Sequence, residues 1–106
     1  MTHGIKAAAV ILLAALIAVP AFAQAPGADV YKAKCAMCHG ADGLAATPMG
    51  KNMKILSFKD PKMLSASNAQ FFASTKNGLN KMPAYKDKLT DQQIKDVIAY
   101  IRMLQK

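Results

Sequence analysis

The sequence predicts a small all-α domain, and two observations carry that prediction. Capping boxes occur at Ser67–Gln70 and Thr90–Gln93, where the first and fourth side chains each bond a backbone N–H at a helix start. The second box opens a segment from Ile94 to Ile101 in which apolar residues recur at helical spacing and form one face. No strand pattern surrounds the two cysteines of the chain, so the sequence favours helices throughout.

The first half of the domain is predicted to contain one helix followed by a loop. The helix runs from about Ala28 to Cys38, with Asp29 in its first turn, where a negative charge complements the helix dipole. The segment Gly40–Met53 is then predicted to be irregular, because glycine and proline interrupt it repeatedly.

Three further helices are predicted in the second half. They cover about Asp60–Leu64, Ser67–Asn77 and Thr90–Leu104. Proline at the first helical position opens the shortest of them, and an Asn-Gly pair ends the second. The segment Leu79–Leu89, which contains Pro83, is predicted to be an irregular loop between the last two helices.

Residues 1–23 are predicted to be a secretory signal peptide that is removed by cleavage. Lys6 gives a positive start, an apolar run covers Ala7–Val19, and Ala21-Phe22-Ala23 has the small-residue form of a cleavage site. The alternative is a retained membrane anchor, but a membrane span needs about 20 apolar residues. We therefore expect a periplasmic or otherwise exported protein, with no membrane span after cleavage and one domain at 24–106.

The motif that carries the chemistry is Cys35-Ala36-Met37-Cys38-His39. Two thiols three positions apart lie on one side of a helical turn and can add to the two vinyl groups of one porphyrin. The residue that follows presents an imidazole to the iron. This spacing is the attachment signature of a c-type haem, so one covalently bound haem c is predicted at Cys35 and Cys38.

Two other uses of these thiols stay open at this point. An oxidising compartment permits a Cys35–Cys38 disulfide, and cysteine side chains also bind metal ions. A thioredoxin-like redox motif requires a βαβ context, which the sequence does not offer. The adjacent His39 favours haem over both alternatives.

The second axial ligand of the iron is less directly encoded. His39 is the only histidine after residue 23, so two histidine ligands from the mature chain are excluded. The sixth position of the iron is then filled by a methionine, by a donor weaker than methionine or by water, or it stays open. Met82 is the first candidate, because it lies 43 residues after His39 in an irregular loop and precedes a proline. Met49 and Met53 are the alternatives, since most methionines only fill the core.

The chain resembles the class I c-type cytochromes, which are small soluble monohaem electron carriers of bacterial and photosynthetic systems. The resemblance covers nearly all of residues 24–106. It rests on C-x-x-C-H-G at 35–40, T-P-M-G at 47–50, N-G at 77–78 and M-P-A-Y at 82–85. It implies a small cytochrome c fold, with three to five helices wrapped around one covalently bound haem.

The same resemblance implies roles for individual residues. His39 and Met82 would be the axial ligands of the iron, and the Pro48 carbonyl would accept a hydrogen bond from the second imidazole nitrogen of His39. Tyr85 would pack near the haem edge. Four residues are expected where the two terminal helices cross: Gly27, Tyr31, Val97 and Tyr100.

The expected function is one-electron transfer by Fe(II)/Fe(III) cycling, not enzymatic catalysis. A haem enzyme or ligand sensor needs an open iron position, and no second histidine exists after residue 23 to act as a distal acid–base group. A dedicated subunit of a larger oxidoreductase is a third reading, which the sequence hardly separates from a free carrier.

The charge of the mature chain bears on its partners. It carries 13 Lys and Arg against six Asp, a net charge of +7. Such a basic surface predicts redox protein partners with acidic docking surfaces. The lysines are dispersed singly and no DNA-reading motif is present, so no nucleic acid partner is expected. A monomer is expected. The candidate steering residues are Lys51, Lys54, Lys81, Lys86 and Lys88.

Overall fold

The computed structural model describes Gly4 and residues 25–106. The predicted signal peptide, residues 1–23, therefore lies outside the described residues except for Gly4. Residues 25–106 form helices α1 (Ala28–Lys34), α2 (Ala36–His39), α3 (Pro48–Asn52), α4 (Pro61–Ser65), α5 (Asn68–Asn77) and α6 (Asp91–Leu104). Within this range the only extended pairing is an isolated bridge between Leu79 and Met82, so the all-α prediction is confirmed.

The first predicted helix is divided in two at Cys35. This residue has φ of −118°, more extended than the helical value of about −63°, while its N–H still bonds to the Tyr31 carbonyl. The chain then re-enters a helix that ends at His39. The division places Cys35 at a junction and keeps the rest of the attachment motif on one short helix.

The prediction of a loop over the whole of Gly40–Met53 is wrong for its last part, where α3 forms. The Thr47 side chain accepts a hydrogen bond from the Gly50 N–H at 2.9 Å, and Pro48 occupies the first helical position. Proline at that position costs no hydrogen bond and has the right φ, so Thr-Pro starts a helix here instead of ending one. With the divided first helix, this extra element raises the helix number among the described residues to six.

The helices of the second half form where the sequence predicts them. Both capping boxes are complete, with N–H to side-chain oxygen distances of 2.8 and 3.1 Å at the start of α5 and 2.9 and 3.1 Å at the start of α6. The apolar face of α6 is buried from Ile94 to Ile101. No helix within residues 25–106 is long and apolar enough to cross a membrane.

The terminal helices α1 and α6 cross where the sequence predicts. A Cβ on Gly27 would lie 2.5 Å from the Asp96 carbonyl oxygen, so only glycine permits this approach. Tyr31 is 1% exposed, and its ring centroid lies 5.1 Å from that of Tyr100. Full burial of a large side chain of this kind contributes roughly 1.5–3 kcal/mol, so the crossing anchors the first helix.

Candidate haem-binding site

A cavity of about 870 Å³ brings together residues from distant parts of the chain. Cys35 and His39 line it from the attachment motif, and Met82 lines it from the loop before α6. Most of the remaining wall is apolar. It includes Ile55, Phe58, Phe71, Val97 and Ile101. The cavity therefore has the size and lining that suit a large flat apolar group with polar contacts at a few points.

The cysteines lie at the junction of α1 and α2, and they are not joined in a disulfide. Cys35 lines the cavity, whereas Cys38 is half-buried outside its lining. Burial, and then the charge of Cys38, raise the pKa of Cys35 to about 11. The raised pKa distinguishes Cys35 from the low-pKa cysteines that carry out disulfide exchange.

Two hydrogen bonds hold the end of the attachment motif in place. The Tyr31 hydroxyl donates to the Gly40 carbonyl at 2.6 Å, and the Thr47 hydroxyl donates to the Cys38 carbonyl at 3.1 Å. Both acceptors flank His39 in sequence. The backbone that carries the imidazole is therefore fixed from two sides.

His39 is held as a neutral ligand-capable imidazole. Its ring stacks on Phe58 at a centroid distance of 4.6 Å and an interplanar angle of 16°. Burial lowers the pKa of His39 below its ordinary value of 6.5, so a nitrogen lone pair is available at neutral pH. Its Nδ1 atom is buried without a hydrogen-bond partner among the described residues. A buried polar atom without a partner is rare, and on an imidazole that lines this cavity it fits a side chain whose bonding is completed by a bound group.

The Nδ1 atom of His39 has no hydrogen-bond partner among the described residues, so the hydrogen bond that the resemblance implies to the Pro48 carbonyl stays a prediction. Pro48 is the first residue of α3.

The loop that carries Met82 is docked on the end of α5. Leu79 and Met82 exchange two backbone hydrogen bonds at 3.1 and 2.9 Å. Beyond Met82, the Tyr85 N–H donates to the Thr75 carbonyl at 3.0 Å, and the Lys86 N–H donates to the Lys76 carbonyl at 3.1 Å. These contacts hold the half-buried Met82 side chain against the cavity.

Tyr85 does not line the cavity, although the resemblance places it near the haem edge. Its hydroxyl donates to the Lys34 carbonyl at 3.0 Å, which ties the Met82 loop to the end of α1. Burial, followed by the charges of Cys35 and Cys38, raises the pKa of Tyr85. The phenol therefore lies beside the attachment motif and bridges the two halves of the site.

Three methionines line the cavity, Met53, Met63 and Met82, and Met63 is not among the ligand candidates of the sequence analysis. Met49 does not line the cavity and is 42% exposed. Phe58 was also missed. The stretch around Phe58 matched no pattern, and only its position as a lone aromatic residue before Asp60-Pro61 hinted at a buried role.

The arrangement fits one haem and gives no support to other uses of the thiols. A neutral imidazole, a thioether and a thiol face one apolar cavity, which is the donor set of a covalently held haem. Within residues 25–106, no group of three or more His, Cys, Asp and Glu side chains is arranged to hold a metal ion directly. The site thus belongs to a haem protein of the c type.

Comparison with known proteins agrees with this site. Residues 22–101 match the family described as cytochrome c oxidase, cbb3-type, subunit III. A cytochrome c6 of Nostoc sp. is 39% identical over 75 residues, which are 71% of this chain and 65% of the relative. A cytochrome c6 of Synechococcus sp. is 34% identical over 99 residues, which are 92% of this chain and 86% of the relative. The solved c-type cytochrome KustC0563 superposes with a TM-score of 0.69 at 27% identity, over 76% of this chain and 98% of the other.

These matches show the family. The chain belongs to the matched cytochrome family and is a small class I c-type cytochrome with a covalently bound haem c. Its cytochrome c6 relatives are monohaem electron carriers with redox partners, and they are not enzymes. The matched part of this chain spans just under two thirds, 65%, of the Nostoc relative.

Proposed function

We propose that this protein carries one electron at a time between redox partners, with His39 and Met82 as the axial ligands of its haem iron. One observation carries the proposal. His39 and Met82 lie 43 residues apart in the chain, yet both line the cavity that Cys35 also lines. A histidine nitrogen with a methionine sulfur is the ligand pair of electron-carrying cytochromes, and it raises the reduction potential.

The cysteines and the two axial ligands would have different roles in such a carrier. When bound, the haem iron supplies a one-electron couple between its ferrous and ferric states. Cys35 and Cys38 would hold the porphyrin covalently, while the neutral imidazole of His39 and the soft thioether of Met82 would remain bound in both states. Permanent ligation leaves no open position for a substrate, so the site suits electron transfer and not turnover of a bound molecule.

The apolar wall contributes by excluding water. Phe58, Phe71 and Ile101 are at most 8% exposed and line the cavity. Side chains of this type do not reorient when the charge of the iron changes, whereas bulk water does. The wall thereby limits the reorganisation that accompanies each transfer.

Pro48 and Tyr85 have supporting roles in this proposal. The buried Nδ1 of His39 needs an acceptor, and the Pro48 carbonyl retains a second lone pair for it. Tyr85 lies beside both cysteines and would pack against the edge of the porphyrin that they hold. Its hydrogen bond to Lys34 supports the Met82 loop from the attachment side.

The ligand assignment is tested by the absorption spectrum of the ferric holoprotein and its methionine variants. Wild type is expected to show the weak far-red band of a sulfur-to-iron bond. Met82→Ala is expected to lose it, because the thioether is removed while attachment at the cysteines persists. Met53→Ala and Met63→Ala are matched controls, since both side chains also line the cavity, and both are expected to keep the band.

The opposite pattern would end this proposal. A native protein without the band that binds carbon monoxide readily has an open iron position, and it is then a ligand-binding haem protein. If the band is lost in Met53→Ala or Met63→Ala and stays intact in Met82→Ala, the proposed electron-carrier function stands but a different methionine is the ligand.

Export and partner charge complete the proposal. Cleavage after Ala23 would give a mature periplasmic chain that begins at Gln24, and intact mass measurement of the purified holoprotein would show this start. The net charge of +7 on that chain favours acidic partners. Lys54 and Lys81 are exposed side chains that line the mouth of the site, so reduction by an acidic redox protein is expected to slow as salt is added.

A free monomeric carrier is proposed over a subunit of a larger complex. The matched family description names an oxidase subunit, whereas the relatives are cytochromes c6. Fractionation of native cells separates the two: a free carrier stays in the soluble exported fraction as a monomer, whereas a subunit sediments with the membrane complex.

A further inference from the structure

A guanidinium group is fixed by neutral partners directly behind one wall of the haem cavity. Arg102, on α6, donates through Nε to the Asn68 side-chain oxygen and through Nη1 to the Gln105 side-chain oxygen, both at 2.9 Å. Its Nη2 donates to the Ala66 carbonyl. All three acceptors are uncharged, and the side chain is half-buried.

The positive charge of Arg102 is therefore held without a counter-charge. The ion pair that the structure contains within residues 25–106 is Lys76–Asp91, at 3.1 Å on the surface. The guanidinium group of an arginine carries a full positive charge. The Arg102 side chain is half-buried, and charges are screened less by a protein environment than by water.

Arg102 is separated from the cavity by a single aromatic ring. Its Cζ lies 4.4 Å from the ring centroid of Phe71, and Phe71 lines the cavity. Phe71 meets Phe58 edge-on at 6.2 Å, and Phe58 stacks on His39. Ala66, whose carbonyl accepts from Arg102, also lines the cavity. The cation thus lies behind the Phe71 side of the cavity wall, and Arg102 itself does not line the cavity.

We propose that Arg102 raises the reduction potential of the haem from behind the Phe71 wall. This inference rests on the proposed electron-carrier function. The ferric centre carries one positive charge more than the ferrous centre, so a fixed neighbouring cation destabilises the ferric state. At an effective dielectric of about 20, a unit charge roughly 12–25 Å from the iron changes the ferrous–ferric equilibrium by about three- to tenfold. At 59 mV per tenfold for one electron, that is about 30–60 mV.

The first test compares two charge-removing variants by redox titration of the holoprotein. Arg102→Gln is expected to lower the midpoint potential by about 30–60 mV. Lys95→Gln removes the same charge from an exposed position on the same helix, and its shift is expected to be much smaller. Near 1 M salt, where the Debye length is about 3 Å, the Arg102→Gln shift should persist while any Lys95→Gln shift disappears.

Two further variants separate charge from packing and remain informative if Arg102→Gln does not fold. Arg102→Lys keeps the charge but loses the planar fork, so its potential should stay near wild type although its unfolding midpoint falls. Asn68→Asp leaves Arg102 in place and sets a carboxylate against Nε. A negative charge is tolerated there because Asn68 is the first residue of α5. Its potential is expected to fall.

The outcomes distinguish this inference from the function on which it rests. Equal potentials in wild type, Arg102→Gln and Asn68→Asp would overturn the role of Arg102 while the carrier function stands. A fall in Arg102→Lys as large as in Arg102→Gln would also overturn it, because packing and not charge would then be responsible. A wild-type holoprotein that shows no reversible one-electron titration would instead overturn the proposed function itself.

Discussion

The two sides of the haem cavity are built in different ways. Most hydrogen bonds that hold the attachment side, residues 35–47, join residues close in sequence, such as Tyr31 to Gly40 and the Ala45 N–H to the His39 carbonyl at 2.8 Å. The methionine loop, residues 79–89, is held by contacts with other elements. Its Tyr85 reaches Lys34, 51 residues earlier, and Leu79 at its start is 57% exposed.

This difference has a consequence for stability and for function. The attachment side is held mostly by these local hydrogen bonds, and Phe58 from further along the chain stacks on His39. The methionine loop keeps its place only while α1, α5 and α6 are assembled. We therefore expect the iron–methionine bond to open before the attachment side unfolds, because loops with few buried contacts have the lowest local stability.

The largest expected effect is the loss of covalent haem retention. Replacing Cys35 and Cys38 together with alanine removes both thioethers, and the haem should then be fully extractable from the denatured protein with acidified organic solvent. Met37→Ala changes a 75% exposed side chain inside the same motif and should leave the haem attached. Haem that stays with the denatured double variant would contradict the attachment sites.

Gly50→Ala is expected to have the next largest effect, and it acts on the attachment side alone. A Cβ at this position would lie 2.6 Å from the Ala45 carbonyl oxygen and would also collide with the Cys38 carbonyl. Overpacking of this kind costs about 3 kcal/mol, which urea unfolding of the holoprotein would measure. Ala46→Ser, at an exposed neighbour, should stay within about 0.5 kcal/mol of wild type. Equal stability of the two variants would show that α3 is not packed against the motif.

Tyr31→Phe should destabilise the same side by about 1–3 kcal/mol. The substitution keeps the buried ring but leaves the buried Gly40 carbonyl without its donor, and the full desolvation penalty of that group is then paid. Urea unfolding at neutral pH measures the change. An unchanged midpoint would mean that water replaces the hydroxyl.

The same residue predicts a pH dependence. Burial raises the pKa of Tyr31 above its ordinary value of 10.0. The folded protein therefore keeps its proton when the unfolded chain has lost it, and the free energy of unfolding should fall as pH rises above about 10. Tyr31→Phe should lose this contribution, so the slopes of stability against pH of the two proteins must differ in that range.

Tyr85→Phe should have the smallest effect on stability and the most selective effect on the loop. It removes one exposed hydrogen bond to Lys34, worth about 0.5–1 kcal/mol. The far-red band of the ferric protein should then disappear at a lower temperature than in wild type, while global unfolding changes little. If both transitions move together, the loop and the attachment side form one cooperative unit.

The parts of the molecule that the sequence predicts are those encoded by neighbouring residues. The capping boxes of α5 and α6 are local signals, and both form where they were expected. The crossing of α1 and α6 was also predicted, from the resemblance, and Gly27 is too close to Asp96 for any other residue.

The parts that were missed depend on contacts between distant segments. Phe58 stacks on His39, 19 residues away, and nothing in its own neighbourhood indicates a site. Arg102 reaches Ala66 and Asn68 because α6 packs on α5. Helical periodicity alone places Arg102 off the apolar face of α6 and does not indicate these contacts. The helix at Pro48 was missed for a different reason, because Thr-Pro is both a turn signal and a helix start.

The central claim is that one methionine of the six after residue 23, Met82, binds the iron. Proton–carbon NMR of the ferrous holoprotein with labelled methionine methyl groups tests it directly. A methyl group held over the porphyrin is shifted far upfield by the ring current, so one strongly shifted signal is expected, and it must vanish in Met82→Leu while the other five remain. A shifted signal that survives in Met82→Leu and vanishes in Met53→Leu or Met63→Leu would contradict the account.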